Sequence, residues 1–203
     1  MSIRLAEAWY AAFLETLQRH EASRPLKEAA SAGRLGDWTE SLTGVVVDVC
    51  RQMGWQTAAR WHRGDVLPVS RSEYLALDAV AFDIGVGQDA ILPNLPNWPF
   101  PVAVFELENS RQDDKVAYSL WKVLCVRAPL RVVFCYRRDV SAGSALVRRL
   151  EETVVGSLSI EERVNLTGET LLIVGSRAEE STFPYGFFKD WVLDKNTGQF
   201  FRR

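Results

Sequence analysis

Three short runs of the sequence are apolar whichever face of a strand they would occupy: EYLALDAVAFDI (73–84), PVAVFELE (101–108) and LRVVFCY (130–136). A strand that is apolar on both faces belongs to a sheet that is covered by other layers on each side. Helices then have to supply those layers, which favours an α/β fold. The chain has 203 residues, 47% of them hydrophobic, so it is long enough to bury such a core, and we expect one domain over residues 1–203.

Helical periodicity predicts two helices before the first strand. Apolar residues that include Trp9 and Phe13 recur at helical spacing over residues 3–20 and predict an amphipathic helix. A polar, glycine-containing stretch then predicts a break. Asp37 and Glu40 resemble a capping box at the start of a second helix that runs to about residue 53, before Gly54.

The rest of the chain alternates less regularly between strands and helices. Alternation over residues 55–63 predicts a strand, and the pattern after residue 108 predicts a helix over 111–128 and another over 141–155. Residues 170–176 predict a further strand, and the C-terminal segment predicts a hairpin that turns at 196–198. This order lacks regular βαβ alternation and predicts a mixed central sheet, in which a three-strand meander is followed by a helical crossover.

Composition excludes several classes of protein. The three cysteines have neither disulfide-framework nor zinc-ligand spacing, so we expect reduced thiols in the core. The acidic N-terminus does not resemble a signal peptide, and no window approaches the ~18 apolar residues of a membrane span, so we expect a cytoplasmic protein without membrane contact. A net charge of −2 provides no global attraction to nucleic acid, so any such contact requires local basic patches.

Acidic residues interrupt two of the apolar runs. Glu106 and Glu108 are two residues apart, so on a strand they point to the same face. If the strand that carries Asp78 is the neighbour in the sheet, a third carboxylate lies close to them. Carboxylates so close raise one another's pKa, and a hard divalent cation such as Mg²⁺ relieves that repulsion. The alternative is a strand end in solvent that carries ordinary surface acids.

These residues resemble the PD-(D/E)XK, or restriction-endonuclease-like, nuclease superfamily, whose core is a helix, a three-strand meander, a helix and a fourth strand. The resemblance covers about residues 37–137. It matches Asp78 to the first acid and Glu106 to the acid of the (D/E)xK tripeptide, with Glu108 in place of the lysine, as in a Glu-x-Glu variant. Glu40 matches the helix acid that many members carry, although a capping box would equally account for it.

The resemblance implies hydrolysis of DNA phosphodiesters with Mg²⁺ or Mn²⁺, in an endonuclease-like reaction and possible homodimers. Asp78, Glu106, Glu108 and Glu40 would be metal ligands. Glu108 would act as ligand or general base, or Lys115 on the next helix would supply the missing cation, although a solvated lysine is the plainer interpretation. Two alternatives stay open: a catalytically inactive nuclease-fold protein that acts as a binding or scaffold module, and a small-molecule-binding domain that uses the long loop over residues 85–101.

Overall fold

The computed structural model describes residues 4–69, 71, 73–83, 85 and 98–202. Seven strands form one mixed sheet, in which the order of the strands follows the order of the chain. The strands are β1 (Trp55–Ala59), β2 (Ala79–Asp83), β3 (Ala103–Leu107), β4 (Leu130–Arg137), β5 (Glu169–Ser176), β6 (Phe188–Asp194) and β7 (Gln199–Arg202). Strands β3, β4 and β5 are parallel, and the other neighbours are antiparallel.

Helices cover both faces of this sheet. They are α1 (Leu5–Gln18), α2 (His20–Ala32), α3 (Leu35–Gln52), α4 (Asp113–Leu124), α5 (Val140–Leu150) and α6 (Ile160–Val164). A π-helical turn (Glu151–Val155) continues α5, and a 3-10 turn (Arg177–Thr182) follows β5. The expected order of helix, three-strand meander, helix and fourth strand is present as α3, β1 to β3, α4 and β4, which confirms the predicted fold class.

The alternation of side chains along β3 separates two cores. Phe105 points to the layer of α1 to α3, where its ring lies 5.2 Å from the ring of Trp9, which is fully buried. Val104 points to the opposite layer and packs with apolar residues of α4 and α5. Glu106, two residues after Val104, therefore lies on the α4 side of the sheet.

The break predicted after the first helix is wrong, because α2 occupies most of it. Leu26, Ala29 and Ala30 form a buried stripe at helical spacing, and their burial stabilises a helix that the polar composition of the segment does not suggest. Gly33 ends α2 with a φ of 66°, a left-handed conformation in which glycine has no steric penalty.

The capping box predicted at the start of α3 is also wrong. The helix begins at Leu35, and its N-cap residue, Arg34, receives no side-chain capping hydrogen bond. Asp37 lies inside the first turn, where its carboxylate pairs with the guanidinium of Arg34 at 2.6 Å. Glu40 is therefore an exposed residue within the helix, and the capping role no longer accounts for it.

Strand β2 is shorter than the predicted run over residues 73–84. A turn closed by the Leu77 amide on the Tyr74 carbonyl precedes it, and Leu75 and Ala76 both have positive φ, at 58° and 54°. Asp78 therefore stands at the entry to the strand, not in its middle. Most of the long loop over residues 85–101 lies outside the described residues, whereas the C-terminal hairpin is confirmed as β6 and β7.

Candidate functional site

Asp78 and Glu106 face each other at one end of the β2–β3 ladder. Ala79 pairs with Phe105 in this antiparallel ladder, so the next residues along it, Asp78 and Glu106, stand opposite each other. The backbone N–H of Leu107 donates a 2.7 Å hydrogen bond to Asp78 Oδ2, which holds the carboxylate against β3. The two acids that the sequence analysis placed on separate strands are thus brought together.

Glu106 is buried, with 4% of its surface exposed, and both of its oxygens have partners on α4. The Ser119 hydroxyl donates to Oε2 at 3.0 Å, and the Lys122 ammonium lies 2.7 Å from Oε1. The ion pair with Lys122 is the polar contact that the described residues provide for Oε1. Glu106 is therefore held between two neighbouring turns of one helix.

Burial raises the pKa of the Glu106 carboxyl to about 7. The hydrogen bond from Lys122 lowers this pKa, the negative charge of Asp78 raises it, and the charge of Lys122 and the Ser119 hydroxyl lower it. The net direction is upward because removing the carboxylate from water outweighs its single cation. A perturbed carboxyl beside a second acid is typical of functional sites, where ionisation is tuned by the surroundings.

Lys122 also connects α4 to the turn that precedes Asp78. Its ammonium donates a 2.7 Å hydrogen bond to the carbonyl of Ala76, the second of the two residues with positive φ. A left-handed conformation is unfavourable for leucine and alanine, and such strained positions persist where surrounding contacts hold them. One lysine thus contacts Glu106 and also holds the turn that leads to Asp78.

The other predicted site residues are not in contact with this pair. Glu108 follows β3, half-buried, and its Oε1 accepts a 2.7 Å hydrogen bond from the Ser110 amide. Lys115 is exposed near the start of α4 and forms no ion pair with any described residue. Glu40 is exposed on α3, and its neighbour Thr39 is the residue that accepts a 2.7 Å hydrogen bond from the Asn109 side chain. Within the described ranges, no group of three or more His, Cys, Asp or Glu is arranged to hold a metal ion.

Two exposed aromatic side chains lie on α4, the helix that also carries Ser119 and Lys122. Tyr118 and Trp121 of α4 are 60% and 49% exposed and stack on each other, with ring centroids 5.8 Å apart. The Lys122 ammonium lies 5.8 Å from the Tyr118 ring. The sequence analysis did not identify the contact from Lys122 to Glu106, because periodicity alone does not say which turn of a helix lies over a given strand residue.

A comparison with known protein families found no match, and neither did a comparison with curated proteins. Among solved structures, the chain is similar to that of NucC from E. coli MS115-1 in its cAAA-bound form, with 16% sequence identity and a TM-score of 0.49. That similarity covers 100% of this chain and 84% of the NucC chain. Among the described residues, no helix is both long and apolar enough to cross a membrane.

Proposed function

We propose that this chain is a Mg²⁺- or Mn²⁺-dependent phosphodiesterase that acts on DNA in an endonuclease-like reaction. Asp78 and Glu106 hold the ion. Lys122 supplies the positive charge of the motif lysine, whose position in this sequence is occupied by Glu108. The observation that carries the proposal is the placement of two carboxylates opposite each other on neighbouring strands, with one of them buried.

The residues present fit such an ion. Mg²⁺ in proteins is commonly bound through one or two carboxylates, with water and substrate phosphate completing its shell. The negative charge of Asp78 raises the pKa of Glu106, and a divalent cation bound between the two carboxylates would relieve that repulsion. When bound, the ion polarises a phosphate and lowers the pKa of a coordinated water.

Hydrogen bonds from neighbouring residues orient the two carboxylates, and Lys122 offsets part of their negative charge. The Leu107 amide fixes one oxygen of Asp78, and Ser119 fixes one oxygen of Glu106, so both carboxylates are preorganised. Lys122 offsets part of their charge through its 2.7 Å ion pair with Glu106. The roles expected for Glu108, Glu40 and Lys115 stay predictions, as do a cytoplasmic location and a homodimer.

The stacked pair of Tyr118 and Trp121 supports a nucleic-acid substrate. Both rings are exposed on the helix that also carries Lys122. Unpaired bases stack on such rings, each contributing about 1–3 kcal/mol, and a neighbouring cation adds attraction for the backbone. DNA as opposed to RNA comes from the family resemblance.

A catalytically inactive nuclease-fold protein, acting as a binding or scaffold module, is the second candidate. The observation that favours it is the closed arrangement around Glu106, whose two oxygens already contact Lys122 and Ser119. In that case the lysine would stabilise the fold in place of a metal, and no ion would be required.

Metal titration followed by a cleavage assay separates these two functions. Mg²⁺ and Mn²⁺ are titrated against the melting temperature of the wild type, Asp78→Asn and Glu106→Gln. The matched control is Asp48→Asn, which removes a half-exposed carboxylate on α3 that pairs with Arg51. The proposal expects metal to stabilise the wild type and the control by about 2.7 kcal/mol at a hundredfold excess over Kd, and to have little effect on the two site variants.

Cleavage is then measured on plasmid and on single-stranded DNA with the same four proteins. Metal-dependent cleavage that is lost in Asp78→Asn and retained in Asp48→Asn would support the phosphodiesterase. Metal binding without cleavage would favour the inactive binding module. Equal melting temperatures with and without metal in all four proteins would refute a metal site at Asp78 and Glu106.

A further inference from the structure

A cavity lies at the carboxyl ends of the parallel strands β4 and β5, and neither Asp78 nor Glu106 lines it. Its volume is about 300 Å³, and it is lined by Arg111, Tyr136, Arg137, Arg138, Ala142 and Arg177, which we call the arginine cavity. In open α/β sheets, ligands bind preferentially in crevices outside the carboxyl ends of parallel strands. Four guanidinium groups around one such crevice indicate an anionic ligand.

Two of the four arginines are already paired with carboxylates. Arg137 is held by Asp113 at 2.6 Å and donates to the carbonyl of Ser110, so its guanidinium is fixed at the cavity wall. Arg138 pairs with Asp139 at 2.9 Å, and Asp139 also accepts the Ala142 amide as the N-cap of α5. These acids fix the geometry of the wall and offset part of its charge.

The other two arginines have no ion pair with any described residue. The Arg177 guanidinium lies 5.2 Å from the ring centre of Tyr136, and its Nε donates to the Tyr136 hydroxyl at 3.4 Å. Arg111 is exposed at the rim. Glu180 is also close enough to raise the pKa of Tyr136, so its carboxylate lies near this part of the cavity wall.

We propose that the arginine cavity binds a phosphate group. Arginine presents planar forks of N–H donors that match phosphate oxygens, and stacking on an aromatic ring preorganises such a fork. The volume is at the lower end of the range for small-molecule sites, enough for a phosphate with part of what carries it. The phosphate belongs either to a free anion such as inorganic phosphate or a mononucleotide, or to the backbone of a nucleic acid.

The arginine cavity lies at the same edge of the sheet as the carboxylate pair. Phosphate binding there does not require catalysis at Asp78 and Glu106. Strands β3 and β4 are parallel, with Glu106 beside Val133, and Arg137 is four residues further along β4, so it lies roughly 13 Å beyond Glu106. Asp113, which anchors Arg137, begins the helix that carries Ser119 and Lys122. A nucleic acid bound at the carboxylates could therefore reach the cavity with a neighbouring phosphate.

The test uses the full chain in EDTA, so that binding is measured without divalent metal. The variants are Arg111→Ala, which alters an exposed residue, and Arg177→Lys, which keeps the charge and removes the fork. Arg148→Ala is the control, because Arg148 is exposed on α5 and does not line the cavity. Inorganic phosphate is titrated against melting temperature at constant ionic strength, and a labelled single-stranded oligodeoxynucleotide is titrated by fluorescence anisotropy.

Each result decides the proposal. If inorganic phosphate stabilises the wild type and the control, and its affinity falls about tenfold in Arg111→Ala and Arg177→Lys, the cavity binds a free phosphate. If only the oligonucleotide binds, with the same loss in the two variants, its phosphate comes from a nucleic-acid backbone. If both cavity variants bind phosphate and oligonucleotide as Arg148→Ala does, the proposal is overturned.

Discussion

Replacing Glu106 by glutamine should remove a specific dependence of stability on pH. The pKa of Glu106 is raised from 4.5 to about 7 because the carboxyl is buried beside Asp78. The folded protein therefore binds this proton more tightly than the unfolded chain. The stabilisation is fully present below about pH 4.5 and is lost as pH rises through about 7, where the folded state must carry a buried charge.

The size of the effect follows from the separation of the two pKa values. Each pKa unit corresponds to about 1.36 kcal/mol, so the free energy of unfolding should fall by about 3 kcal/mol between about pH 4.5 and about pH 8 through this residue. Glutamine has nearly the same shape and does not titrate. The wild type should therefore lose about 3 kcal/mol more than Glu106→Gln over that interval.

Urea denaturation followed by tryptophan fluorescence measures both proteins at closely spaced pH values. Comparing the two proteins cancels the titration of carboxyls that do not interact with residue 106. Lys122→Met serves as a second arm: removing the paired cation should raise the pKa of Glu106 further and move the loss of stability to higher pH. If the wild type and Glu106→Gln give parallel curves, burial does not control the ionisation of Glu106, and the electrostatic reasoning for the carboxylate pair fails.

Two matched pairs of substitutions test the packing and the exposed aromatic face. Trp9→Ala removes a fully buried ring that packs on Phe105, and urea denaturation should show a loss of about 3–5 kcal/mol. Trp121→Ala should cost under about 1 kcal/mol because the ring is half-exposed, yet weaken oligonucleotide binding by about fivefold or more in anisotropy, and unchanged binding would contradict the stacking role. Gly168→Ala should destabilise by more than about 1 kcal/mol, since φ is +75° and the new Cβ would meet the Pro129 carbonyl oxygen at 2.3 Å. Gly44→Ala, in the middle of α3 with nothing within 4 Å, should stabilise by about 0.5–1 kcal/mol, and a loss at this position would contradict the assignment of open space there.

The periodicity of apolar residues predicted the types of most elements because burial on one face or both faces leaves a direct mark on sequence. It failed where a tertiary contact decides the local structure. Leu75 and Ala76 are left-handed although neither residue favours that region, and the hydrogen bond from Lys122 to the Ala76 carbonyl helps to hold them there. No pattern in residues 73–78 predicts such a contact, so the strand predicted over residues 73–84 began before the observed start of β2 at Ala79.

The pairing of Asp78 with Glu106 was accessible from sequence because it requires only two assumptions, that consecutive strands are neighbours and that side chains alternate. The first residue of α4 could not be predicted from the sequence with equal accuracy. Helix ends are uncertain by a few residues in sequence-based reasoning, and a shift of one turn moves a side chain by about 5 Å along the helix axis.

The sequence analysis named Lys115 as one of two candidates for the missing function, and that role stays a prediction, whereas the cation that contacts Glu106 in the structure is Lys122. Helix α4 begins at Asp113, so Lys115 lies in its first turn, near the connection that leaves β3. Lys122 lies seven residues later, about 10 Å further along the helix axis, where α4 packs on the sheet face that contains Glu106. A lysine at position 108 would follow the last residue of β3. Lys122 instead reaches the buried Glu106 carboxylate from α4, which packs on that face of the sheet. The cation that contacts Glu106 therefore comes from the helix, whereas the Glu108 carboxylate accepts a hydrogen bond from the Ser110 amide.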